Sequence, residues 1–149
     1  MKLAKQVPLY YYLILLASTA IVIGIQWDIS WHSTIGRDKL LSPPHLVVYI
    51  GGIICGLICT FIVFKNTFFN KIKEGVKFWG FNAPLACWIC IWGMIAMLTS
   101  APFDDWWHNA YGLDVQIISP PHIILAIGIF SVILGSCLLI VAQKNNFPE

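Results

Sequence analysis

Four apolar stretches divide the chain, and short polar clusters separate them. The stretches run from about Pro8 to Gln26, Leu46 to Phe64, Phe78 to Thr99 and Ile123 to Ala142. Each reaches or approaches the roughly 20 residues that carry an α-helix across a bilayer. Little chain is left over for a soluble domain. The pattern predicts an all-α integral membrane fold, a single membrane domain over 1–149 with four transmembrane helices.

The polar clusters repeat. The first reads Trp27-Asp-Ile-Ser-Trp-His-Ser-Thr-Ile-Gly-Arg-Asp-Lys-Leu-Leu-Ser-Pro-Pro-His45. The second reads Phe103-Asp-Asp-Trp-Trp-His-Asn-Ala-Tyr-Gly-Leu-Asp-Val-Gln-Ile-Ile-Ser-Pro-Pro-His122. Asp28 aligns with Asp104, Trp31 with Trp107, His32 with His108, Gly36 with Gly112 and Asp38 with Asp114. The Ser-Pro-Pro-His ends match after one inserted residue. Chance does not produce such a match, so the chain reads as a tandem duplication of one helical hairpin, with repeats over 8–64 and 78–142. Two hairpins that both run in-out-in call for a pseudo-symmetry axis along the membrane normal.

Local signals fold each hairpin. The first helix is expected to continue past its apolar stretch to about Thr34, with Gly36 as its stop. At about 1.5 Å per residue it would span about 40 Å, more than the roughly 30 Å hydrocarbon core, leaving Asp28 and His32 near an interface. Their four-residue spacing puts them on one helix face. Ser42 and Pro43 suit the N-cap and first helical position of the next helix, which brings His45 to a similar depth. Asp104, His108 and His122 repeat the design, with Pro102 expected to kink or restart the helix just before them. Asp105 is an alternative to Asp104, but the matched spacing favours Asp104.

Composition and charge sharpen this picture. Hydrophobic residues make up 58% of the chain and charged residues 11%, with mean hydropathy +0.78. A soluble domain carries roughly a quarter charged residues. A net charge of +2 with no basic run excludes nucleic acid as an expected partner. Lys2, Lys5, Lys65, Lys71, Lys73, Lys77 and Lys144 all fall on one side of the four spans, which the positive-inside rule assigns to the cytoplasm together with both termini. The histidine-bearing segments then face outward. The first span follows Lys2 and Lys5 as a signal peptide would, but it is too long for one and lacks a small-residue cleavage pattern, so it is expected to be retained. Cys55, Cys59, Cys87, Cys90 and Cys137 fall within spans, where small packing residues are the ordinary reading. Cys87 and Cys90 also have redox-type spacing.

Two imidazoles and one carboxylate per hairpin suit copper, zinc or non-haem iron, with open positions for water or substrate. The candidate metal ligands are Asp28, His32, His45, Asp104, His108 and His122. Such residues near a bilayer are costly unless partnered, which makes them functional candidates. Asp38 and Asp114 could accept hydrogen bonds from the ligand imidazoles, or simply cap loops. Trp31 and Trp107 could shield the sites, although tryptophan is enriched at interfaces in any case.

With these spacings in view, the chain resembles the copper-ligating membrane subunit of the particulate methane and ammonia monooxygenases, the copper membrane monooxygenase family. That family carries Asp-x3-His-x12-His in one hairpin and Asn-x3-His-x13-His in a later one, each a copper site. Asp28-x3-His32-x12-His45 and Asp104-x3-His108-x13-His122 match both spacings in order. The stretch Ser33-Thr-Ile-Gly-Arg-Asp38 and the proline before His45 look like the archaeal ammonia-oxidising version. The resemblance covers most of the chain. Two departures stand out: this chain has fewer spans, and Asp104 stands where the family has Asn. The resemblance implies copper as cofactor, partner subunits of the monooxygenase type, and oxidation of a small substrate with O2. Copies of the chain itself are the alternative to such partner subunits.

Two further functions compete with a copper-dependent monooxygenase or a subunit of one. A non-catalytic membrane protein could bind, deliver or sense copper or another transition metal at the outer face of a prokaryotic plasma membrane. The chain has no methionine-rich tract to favour Cu(I) transport. Bis-histidine haem ligation fits poorly, because the Asp four residues before each His is better explained as a metal ligand.

Overall fold

The computed structural model describes residues 7–36, 41–70, 75–112 and 118–145. It is a bundle of α1 (Leu9–Thr34), α2 (Pro43–Phe64), α3 (Leu85–Tyr111) and α4 (Pro120–Asn145). All four helices are long and apolar enough to cross a membrane. With 26 residues in α1 and 27 in α3, each extends about 40 Å, roughly 10 Å beyond a hydrocarbon core. The surplus turns carry the polar residues: Asp28 and His32 in α1, Asp104 and His108 in α3. Outward faces remain apolar, with Leu16 and Phe130 about two-thirds exposed (68% and 67%), as lipid contact requires.

Small residues let the helices approach, which matters in lipid because no hydrophobic force drives helices together there. A Cβ added at Gly51 of α2 would lie 2.8 Å from the Ala17 carbonyl oxygen of α1. Met94 and Met97 of α3 lie directly over Gly56 and Gly52 of α2. Gly93 of α3 and Gly128 of α4 bring their backbones into mutual contact. These contacts run α2 and α3 antiparallel. The C-terminal ends of α1 and α3 therefore share one end of the bundle with the starts of α2 and α4.

The cysteines are free thiols. Cys55, Cys59, Cys87 and Cys90 are fully buried among the helices, and Cys137 faces outward on α4. The Cys55 thiol reaches the Ile14 carbonyl at 3.7 Å, and the Cys90 thiol reaches that of Val132 at 3.5 Å. These are packing roles that tie neighbouring helices together.

The third apolar stretch departs from expectation. Residues Phe78 to Pro84 are not helical. After α2, a wider π-helical turn (Lys65–Asn70) is followed by an antiparallel hairpin of β1 (Val76–Phe78) and β2 (Phe81–Ala83), paired Val76 to Ala83 and Phe78 to Phe81. Trp79 and Gly80 form its two-residue turn, both at positive φ (46° and 85°), the combination that matches the twist of paired strands. Pro84 disfavours helical geometry at Ala83 and starts α3 one residue later. The Asn82 N–H donates to Thr67 Oγ1 at 2.9 Å, and Trp88 Nε1–H to the Val76 carbonyl at 3.1 Å, fixing the hairpin to the π-helical turn and to α3.

Pro102 neither restarts nor ends α3, which runs through it to Tyr111. The missing N–H at Pro102 leaves the Leu98 carbonyl without its helical donor, and the Thr99 and Ser100 hydroxyls donate elsewhere, to the Ile95 and Met97 carbonyls.

Candidate metal centre

The second polar cluster assembles a compact trio from two helices. Asp104 and His108 project from one face of α3, one turn apart. His122 comes from the first turn of α4. Asp104 Oδ2 lies 3.5 Å from His108 Nε2, and Asp104 Oδ1 lies 3.5 Å from His122 Nε2. One atom from each residue falls within 4.8 Å of the other two, close enough for a single metal ion to bind all three. The three residues are partly buried. At 3.5 Å Asp104 Oδ1 is near His122 but makes no hydrogen bond among the described residues, although the atom itself is buried. A buried carboxylate oxygen left so is costly, and a cation bridging it to the imidazoles would satisfy it. The donor set of two imidazole nitrogens and one carboxylate therefore fits a transition-metal ion.

The two rings are held differently. His122 Nδ1 hydrogen-bonds Ser119 Oγ at 2.9 Å, which turns Nε2 toward Asp104. His108 Nδ1 is buried with no hydrogen-bond partner among the described residues.

In the first cluster both imidazoles approach Asp28, but among the described residues only Asp104, His108 and His122 bring ligand atoms within 4.8 Å of one another. His45 Nε2 stands 3.3 Å from Asp28 Oδ1, and His32 Nδ1 stands 3.8 Å from the same oxygen. His32 Nδ1–H also donates to the Asp28 main-chain carbonyl at 2.9 Å. The rings differ in exposure: His32 is 48% exposed and His45 21%.

Local sequence explains both placements. α1 ends at Thr34 with Gly36 at φ 96°, and α3 ends at Tyr111 with Gly112 at φ 91°, conformations that favour glycine. Ser42 is the N-cap of α2 with Pro43 at its first position, as the residue pattern predicts. Asp105 points elsewhere, accepting from Asn109 Nδ2 at 3.4 Å, so Asp104 is the carboxylate of the trio. Trp31 makes an edge contact with Trp27, and Trp107 packs on Phe103, Trp106 and Tyr111, forming aromatic collars at this end of the bundle.

Asp38 and Asp114 lie outside the described residues, as do Lys2, Lys5, Lys71 and Lys73. The hydroxyl of Ser119 is a ring partner that a search of the sequence for carboxylates misses. An apolar cleft of about 360 Å³, lined by Phe78, Trp88 and Trp92, sits at the hairpin end of the bundle, away from both trios. Comparison with known proteins finds no matching family model, curated protein or solved structure.

Proposed function

We propose that this chain is a copper-binding integral membrane protein that oxidises a small substrate with O2 at Asp-His-His sites on the outer face of a prokaryotic plasma membrane. The observation that carries the reading is the Asp104 carboxylate, which turns one oxygen to each of two imidazoles from different helices. Copper is chosen over zinc or non-haem iron because both ligand spacings resemble those of the copper-ligating membrane subunit of the particulate monooxygenases. Bound copper supplies a redox-active centre with open coordination positions. The chain's own residues do the rest. In each Asp-His-His set the carboxylate of Asp28 or Asp104 would offset the charge of a metal ion, and the two histidines would hold that ion through imidazole nitrogen. Asp38 and Asp114 would accept hydrogen bonds from ligand imidazoles, while Trp31 and Trp107 limit water. Partner subunits of the monooxygenase type, or further copies of this chain, would complete the assembly.

The exposure of His32 favours a second reading, in which the sites take up and hand on copper without turnover. An exposed ligand exchanges readily with a carrier.

Metal analysis of purified wild type against a His32→Ala/His108→Ala variant tests the shared premise. Equal metal in the two samples overturns both readings. Copper-dependent substrate oxidation that is lost in His32→Ala or His108→Ala selects the enzyme. Bound copper that passes to a soluble chelator without any turnover selects the carrier.

A further inference from the structure

The Ser-Pro-Pro-His segment that opens α4 places Ser119, two prolines and His122 at the N-cap and first three helical positions. A serine at an N-cap ordinarily accepts a hydrogen bond from the backbone N–H of the second or third helical residue. Here Pro120 and Pro121 occupy the first two positions, so the second carries no N–H. The Ser119 carbonyl accepts the first helical bond, from Ile123 N–H at 2.9 Å. Its hydroxyl, on a residue only 2% exposed, engages the His122 ring instead.

The arrangement differs from a capping box, in which each side chain bonds the other residue's backbone N–H: here the N-cap and third helical residues bond side chain to side chain. We infer that Ser119 is a positioning residue for the metal centre: its hydroxyl binds His122 Nδ1 so that Nε2 faces Asp104 and His108. The inference rests on the proposed metal function. A serine hydroxyl can donate or accept. It can therefore accept a hydrogen bond from Nδ1–H when Nε2 holds a metal, the outer contact that ligating imidazoles generally make.

Chemistry separates the two histidines of the trio. His122 has its outer nitrogen engaged before any metal arrives. His108, with Nδ1 buried and unbonded among the described residues, does not. The same tetrapeptide opens α2 as Ser42-Pro43-Pro44-His45.

Two measurements on the full-length protein in detergent test the inference, using Ser119→Ala and Ser119→Thr. The first is ring ¹⁵N NMR of His122 in metal-free protein. Wild type and Ser119→Thr should show a hydrogen-bonded Nδ1, and Ser119→Ala should lose that signature. The second is competitive Cu²⁺ titration. The apparent Kd should rise about ten-fold or more in Ser119→Ala and stay near wild type in Ser119→Thr. An alanine variant indistinguishable from wild type in both measurements overturns the role of Ser119. Equal losses in Ala and Thr also overturn it, because they would indicate a packing effect rather than the hydroxyl. Wild-type protein that takes up no Cu²⁺ while retaining the ring signature overturns the proposed function. That outcome is recognisable because the ring is observed without metal.

Discussion

The carboxylate of Asp104 and the imidazole of His122 belong to different helices, yet they stand 3.5 Å apart. That contact closes the hairpin of α3 and α4 at its polar end. Because Asp104 also meets His108 on its own helix, one side chain sets the geometry of the whole trio.

Asp104 should therefore dominate metal affinity at the second site. Asp104→Asn restores the residue of the resembling family and retains one oxygen donor, so Cu²⁺ binding should weaken without being abolished. Asp104→Ala removes the donor. The loss should exceed the roughly 10–100-fold typical of disturbing a ligand's hydrogen-bond partner. Isothermal titration of the three proteins checks the order. Equal affinity in Asp104→Ala and wild type would remove Asp104 from the ligand set.

Two trios predict two independent ions. Wild type should hold twice the metal of either His45→Ala or His122→Ala, as counted by elemental analysis. A single substitution that empties both sites would instead indicate one shared centre.

Sidedness can be read by labelling. Ser33 is exposed at the polar end of α1. A Ser33→Cys variant should react with a membrane-impermeant maleimide on intact cells, whereas Phe69→Cys, at the opposite end, should react only after lysis. The reverse pattern would place the histidines in the cytoplasm.

The α3–α4 contact leaves no room for a larger side chain. A Cβ at Gly128 would meet Met97 N and the Gly93 carbonyl oxygen at 2.9 Å. Gly128→Val should cost about 1–3 kcal/mol through overpacking. It should also weaken metal binding, since the same helix pair carries the trio. Thermal unfolding in detergent measures the first effect and Cu²⁺ titration the second. An unchanged melting temperature would show that the helices separate at no cost.

Much of the fold is legible in the sequence because apolar length and the Gly and Ser-Pro-Pro signals are local. Gly36 and Gly112 stop helices whatever surrounds them, since easy access to positive φ is a property of the residue itself. The third stretch misleads where Phe78 to Ala83 are as apolar as a span. Hydropathy cannot distinguish a lipid-facing helix from a hairpin whose aromatic side chains pack on α2 and α3. Trp79-Gly80 lacks the Asn-Gly or Asp-Gly pattern that usually marks such a turn. Pro102 misleads for a different reason. It lies in a helix packed against both α2 and α4, and tertiary packing overrides a local helix preference.

By itself, the sequence determined four apolar helices, their polar ends and a duplicated Asp-His-His spacing. A helix converts spacing along the chain into position on a face, so Asp104 and His108 had to share one. Only the tertiary structure decided that His122 meets Asp104, that Asp105 turns away and that Ser119 holds the ring. Those relations depend on how α4 packs against α3. That packing is set by the close approach of Gly93 and Gly128, well away from the residues it brings together.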